Sequence, residues 1–145
     1  MAESSFLGGK VLKRSLPALS APAGPAAPAM KRLLLPQGEL AQICDGTEAF
    51  RYLATIELRS GAVRGNHYHR VKEEYMYVIS GEVLLVVEDI DNHQRADVPL
   101  QAGDLVFIPT RVAHVLKVVQ PGVAIEFSVA RFDPADIERV QLIEE

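Results

Sequence analysis

Residues 64–89 read "RGNHYHRVKEEYMYVISGEVLLVVED". Two histidines, His67 and His69, stand two apart near its start, and glutamates follow at 73 and 74. The second half alternates or runs apolar in short stretches, which is the period of strands. "EYMYVIS" and "EVLLVVED", either side of Gly81, read as the arms of a hairpin, the second apolar enough to be buried on both faces. Strand side chains alternate sides, so His67 and His69 face one way and Tyr68 the other. By the same rule Glu74 shares its face with Met76 and Val78, opposite Tyr75, Tyr77 and Ile79. Two imidazoles on one strand face are either ligands for a single cation or solvated groups on a polar strand. The pair alone does not choose.

The same period extends in both directions. "FRYLATIEL" (50–58) puts Phe50, Tyr52, Ala54, Ile56 and Leu58 on one face. "DLVFIPT", "AHVLKVVQ" and "VAIEFSVARF" follow, broken at Gly103, Pro109 and the Pro121-Gly122 pair. That spacing of strands and turns predicts an all-β sandwich or barrel. Only the end departs from it. In "FDPADIERVQLIEE", Asp133 can cap a helix that starts at Pro134, with Asp136 near the positive end of its dipole. Ile137, Val140 and Leu142 or Ile143 supply its apolar stripe, so a short C-terminal helix is expected.

The totals bound what such a barrel can do. A chain of 145 residues with 48% hydrophobic content fits one core. Nineteen acids against 15 bases give a formal charge of −4, and no basic run exists to neutralise a row of phosphates, which argues against nucleic acid as a partner. Cys44 is the single cysteine and cannot form an internal disulfide. It reads as a small core or edge residue. No run approaches the ~20 apolar residues of a bilayer span, so no membrane partner is expected and a reducing cytoplasm is the expected setting. "SLPALSAPAGPAAPAMK" (15–31) is rich in Pro and Ala, and prolines break every candidate signal-peptide core. Residues 1–34 are therefore expected to be a flexible lead-in to a domain over 35–145.

The histidine pair has company. Glu74 lies where a returning strand brings a carboxylate back to the same mouth, and "GDLVFIPTRVAH" delivers His114 at the start of another strand. Here the chain resembles the cupin family. That family's first motif is a Gly, five residues, His-x-His, three or four residues, Glu, six residues and a Gly. Gly61, His67, His69, Glu74 and Gly81 match it with every spacing intact. The second motif is matched at Gly103, Pro109 and His114, although Arg111 stands where a Gly is usual and Val118 where an Asn is common. Over roughly residues 35–132 the resemblance implies a small double-stranded β-helix (jelly-roll) barrel, its site in the mouth, commonly a homodimer. It implies that His67, His69, Glu74 and His114 hold one divalent transition metal per chain, drawn from Fe, Mn, Ni, Cu and Zn.

Around that set the residues leave alternatives open. Arg64 either anchors an anionic group of a substrate or is a solvated surface side chain. Glu126, interrupting the apolar "VAIEFSVA", either lines the cavity as a base or faces water. Met76 joins them as a substrate-side residue. His93, at a polar tip, reads as solvated, and Tyr75 and Tyr77 as packing against a second sheet. The function that follows is a metal-dependent enzyme, of dioxygenase, isomerase or lyase type, acting on a small organic molecule. The alternatives are a metal-independent isomerase or epimerase of nucleotide-linked sugars, with His67 or His69 as acid/base, and a non-catalytic ligand-binding barrel.

Overall fold

The chain folds from strands, and a computed structural model describes residues 2–20 and 24–144. The early strands are β1 (Ala2–Phe6), β2 (Val11–Ser15), β3 (Ala18–Leu19), β4 (Lys31–Leu35), β5 (Gly38–Gln42) and β6 (Tyr52–Leu58). The later ones are β7 (Val63–Tyr68), β8 (Glu74–Asp89), β9 (Arg95–Gln101), β10 (Asp104–Ile108), β11 (Val112–Ser128) and β12 (Glu138–Arg139). One nine-stranded sheet runs β1-β2-β10-β8-β11-β7-β12, with β6 on β11 and β9 on β8; β3-β4-β5 form a separate small sheet.

Two long strands make the barrel. β8 pairs with β10 through its first half and with β9 through its second, while β11 pairs with β7 and then β6. The expected hairpin at Gly81 is therefore corrected: residues 74–89 are one bent strand, and Pro121-Gly122 likewise bends β11 without ending it. The two bends coincide. Gly81 has φ +91°, and a Cβ there would lie 2.6 Å from the carbonyl oxygen of Gln120, while one on Gly122 would lie 2.0 Å from that of Ser80. The β8–β11 register shifts between Val118 and Ala124, so the pair turns a corner together and wraps the sheet into two facing layers. Between the layers lies the main core, including Val11, Ile56, Met76, Val78, Leu85, Val106 and Leu116. Tyr77 and Phe127 pack outside it with Phe50 and Tyr75, as the alternation predicts.

Two further expectations are corrected. The lead-in holds strands: β1 and β2 form a hairpin, β2 pairs with β10, and Val11 is wholly buried. Prolines begin only after Ser15, so the composition of the later stretch hid a regular hairpin before it. Residues 21–23, inside the Pro/Ala stretch, lie outside the described residues. The C-terminal helix does not form either. Asp133 caps a single turn, accepting from the Ala135 N–H, after which the chain extends and Glu138–Arg139 pair with Tyr68 and His67. Tertiary partners take the backbone groups that a helix would use. The N–H of Val140 donates to the Asn66 carbonyl and that of Leu142 to Asn66 Oδ1. The apolar residues meant for a helical stripe, Val140, Leu142 and Ile143, instead cover Val86, Ala113 and Val115 on the outer face.

Among the described residues no helix is long and apolar enough to cross a membrane. Cys44 is exposed, not buried.

Candidate metal centre

Three strands deliver the cluster. His67 comes from β7, Glu74 opens β8 and His114 lies near the start of β11, while His69 follows β7 in the connecting loop. β7 and β11 meet unusually closely, with His114 opposite His67 and a register shift immediately after it. Gly65 makes this possible: its φ is +114°, and a Cβ there would lie 2.6 Å from the carbonyl oxygen of His114. Arg111 supplies the other constraint. It takes φ +62° where the family pattern has a Gly, its N–H donates to the His69 carbonyl, and its guanidinium reaches Asp91 at 2.5 Å. The unusual residue thus keeps the turn that a Gly would have made.

His67, His69, Glu74 and His114 each offer a ligand atom, and these atoms lie within 4.8 Å of one another. All four, with Arg64, Met76 and Glu126, line one cavity of about 370 Å³, near the small end of the ~300–1,000 Å³ typical of ligand sites. Sequence reasoning passed over Lys72, Arg139, Ile137 and Phe132 on the same walls. Lys72 is buried and donates to Glu74 Oε1 at 3.0 Å. A lysine among charged neighbours carries no sequence signal, because only the fold reveals that this one turns inward.

The donor atoms fit a metal. Nδ1 of His69 lies 2.6 Å from the Asp136 carbonyl, and Nδ1 of His114 lies 3.2 Å from that of Val112. A carbonyl only accepts, so both Nδ1 atoms carry the proton and both Nε2 atoms are left for the centre. Those Nε2 atoms face the carboxylate oxygens of Glu74 at 3.0 and 3.2 Å. The His69 contact is close yet not aligned as a hydrogen bond, and His67 Nδ1 is also buried without a hydrogen-bond partner among the described residues. Buried lone pairs converging on a carboxylate call for a cation, either protons or a metal ion.

Electrostatics agree in direction. Burial, with the neighbouring His114 and His69, lowers the His67 pKa to about 4, which keeps its imidazole neutral. Burial alone would raise the Glu74 carboxyl and lower the His114 imidazole. His114, with His69 and Lys72, outweighs this at Glu74 and holds it below the usual carboxylate range, and the Glu74 carboxylate holds His114 above its ordinary value. Without an ion, a proton shared between these two satisfies them. Tyr52 donates its hydroxyl to Glu126 at 3.0 Å, and burial and that carboxylate push the phenol up to about 12.

Comparison with known proteins agrees with this architecture. Among solved structures, the chain resembles the RmlC epimerase of Mycobacterium tuberculosis at TM-score 0.74, with 14% identity, over 96% of this chain and 72% of that one. It resembles ChmJ, a 3'-monoepimerase from Streptomyces bikiniensis, at TM-score 0.76, with 14% identity, over 96% and 74%. A 3,4-ketoisomerase from Helicobacter canadensis matches at TM-score 0.66, with 14% identity, over 77% and 86%. Such identities establish a shared fold. By sequence, 64 residues are 33% identical to oxalate decarboxylase OxdC of Bacillus subtilis, covering 44% of this chain and only 16% of that protein's length. Residues 54–128, which carry most of β6, all of β7 to β11 and every member of the histidine–glutamate cluster, match the family described as Cupin domain, and the chain belongs to that family.

Proposed function

We propose that this cupin is an enzyme that binds one divalent transition metal through His67, His69, Glu74 and His114 and isomerises or epimerises a small oxygenated substrate in the barrel mouth. The observation that carries the metal is the clustering of three imidazoles and one carboxylate with ligand atoms within 4.8 Å of one another, His67 Nδ1 and His69 Nε2 being buried without a hydrogen-bond partner among the described residues. When bound, the ion supplies a Lewis acid for a substrate oxygen. The remaining work falls to side chains of the same cavity. Glu126, held by the Tyr52 hydroxyl and 3.7 Å from the Lys72 ammonium, is a carboxylate apart from the ligand set and serves as the proton acceptor. Arg64, exposed at the mouth, anchors an anionic group of the substrate. Met76 forms part of the apolar floor.

Proton transfer is preferred to dioxygenation because solved structures of this fold include two epimerases, one in complex with dTDP-quinovose, and a 3,4-ketoisomerase by name. Those names also support a second reading: the same chemistry on a nucleotide-linked sugar without metal, with His67 or His69 as the base. A homodimer, which the family resemblance implies, belongs to either reading, and light scattering decides it. The separating experiment is a panel of keto sugars and their nucleotide conjugates, assayed before and after chelation. Activity lost on chelation and restored by one metal supports the first reading. Full activity in metal-free protein, with thermal protection by a nucleotide-sugar, replaces it with the second.

A further inference from the structure

Lys72 places a buried ammonium against the four-residue centre. Its side chain is 3% exposed. The ammonium donates to Glu74 Oε1 at 3.0 Å, lies 3.7 Å from Glu126 Oε1, and sits 4.2 Å from the centroid of the Tyr52 ring, with Phe132 beyond. His69 Nε2 approaches the same Glu74 oxygen at 3.0 Å. One carboxylate oxygen is therefore claimed from two sides, by a fixed cation and by the donor cluster. Glu126 is in turn fixed by the Tyr52 hydroxyl at 3.0 Å.

We propose that Lys72 sets the metal affinity of the centre, acting as a built-in cation that shares the Glu74 carboxylate with the ion and keeps that ion exchangeable, with Glu126 as its counterweight. This rests on the metal reading above. An ammonium within hydrogen-bonding distance of a ligand carboxylate draws negative charge away from the ion and repels it. At a buried site with an effective dielectric of about 20, such repulsion is large against thermal energy. Glu126 moderates the effect because it takes part of the ammonium's field. Removing the Lys72 charge should therefore strengthen metal binding, and removing the Glu126 charge should weaken it, since the ammonium then leans wholly on Glu74. A Lys72 that merely holds Glu74 in place predicts the reverse for the first change.

The test is a titration of chelator-stripped full-length protein with Mn(II) and, separately, Zn(II) at fixed pH, with thermal unfolding of each variant recorded alongside. Lys72→Met is expected to bind about tenfold more tightly or better, and Glu126→Gln several-fold more weakly than wild type, with Lys72→Arg close to wild type. Binding by Lys72→Met no tighter than wild type overturns the proposal. If that variant does not fold, Glu126→Gln decides alone, and unchanged or tighter binding overturns it. Wild-type protein that takes up neither metal removes the metal reading itself, and this inference with it.

Discussion

Asp136 grips His69 and the loop after it with two different groups. Its backbone carbonyl accepts from His69 Nδ1 at 2.6 Å, while its carboxylate collects the N–H groups of Arg70, Val71 and Lys72 at 2.7 to 3.2 Å. The turn after Asp133 thereby orients His69 and the segment that carries Lys72. Burial would raise this carboxyl, but the three backbone donors outweigh it and keep it low.

Replacing Asp136 by Ala removes the carboxylate and leaves the carbonyl in place. Three backbone donors then lose their acceptor; those of Arg70 and Val71 are part-buried and water can replace it, while that of Lys72 is buried and its loss costs about 1–3 kcal/mol. Denaturant unfolding should show a loss of about 1–3 kcal/mol, most of it from the buried Lys72 N–H. Stability within experimental error of wild type would contradict the clamp.

Gly65→Ala should be costlier than Gly61→Ala. Both glycines have positive φ, but a Cβ at Gly61 meets open space, whereas one at Gly65 meets the His114 backbone. The Gly61 change should cost about 1 kcal/mol from backbone strain. The Gly65 change should cost more and reduce metal content, since β7 and β11 must part where His67 and His114 face each other. Equal costs for the two, measured by urea unfolding, would count against the close approach.

Asp89 gives the fold an acid-sensitive tie. The Lys10 ammonium beside it, the Asp91 N–H and a further backbone bond hold its buried carboxyl below the ordinary value. A depressed carboxyl contributes stability that is complete above the unfolded pKa of ~3.9 and is lost as pH falls through the folded value. Wild type should therefore lose stability below about pH 4 faster than Asp89→Asn, which is weaker at neutral pH and flatter in acid. Parallel pH profiles for the two proteins would show that the Lys10–Asp89 pair contributes nothing.

Much of this was legible beforehand because period-two patterns and motif spacing are local. Alternation about Glu74 correctly put Met76 and Val78 on one face and Tyr75 and Tyr77 on the other, and the motif assembled all four cluster residues. What sequence reasoning missed depends on tertiary partners. Gly81 looked like a hairpin turn, since nothing local distinguishes a turn from a corner where a second strand bends in step. Asp133-Pro134 looked like a helix start, yet Asn66, distant in sequence, takes the N–H groups that a helix would have used. Val11 and its neighbours were obscured by the prolines that follow them. Lys72 was invisible because burial of a charge is decided by Glu74, Glu126 and Tyr52 together.

Elemental analysis of the purified protein and of His69→Ala decides whether the histidine–glutamate cluster holds a metal. About one transition-metal ion per chain is expected in the wild type, with a large loss of that metal in the variant and the fold retained by circular dichroism. A wild type without stoichiometric metal, or a variant whose metal content is unchanged, would contradict the metal assignment.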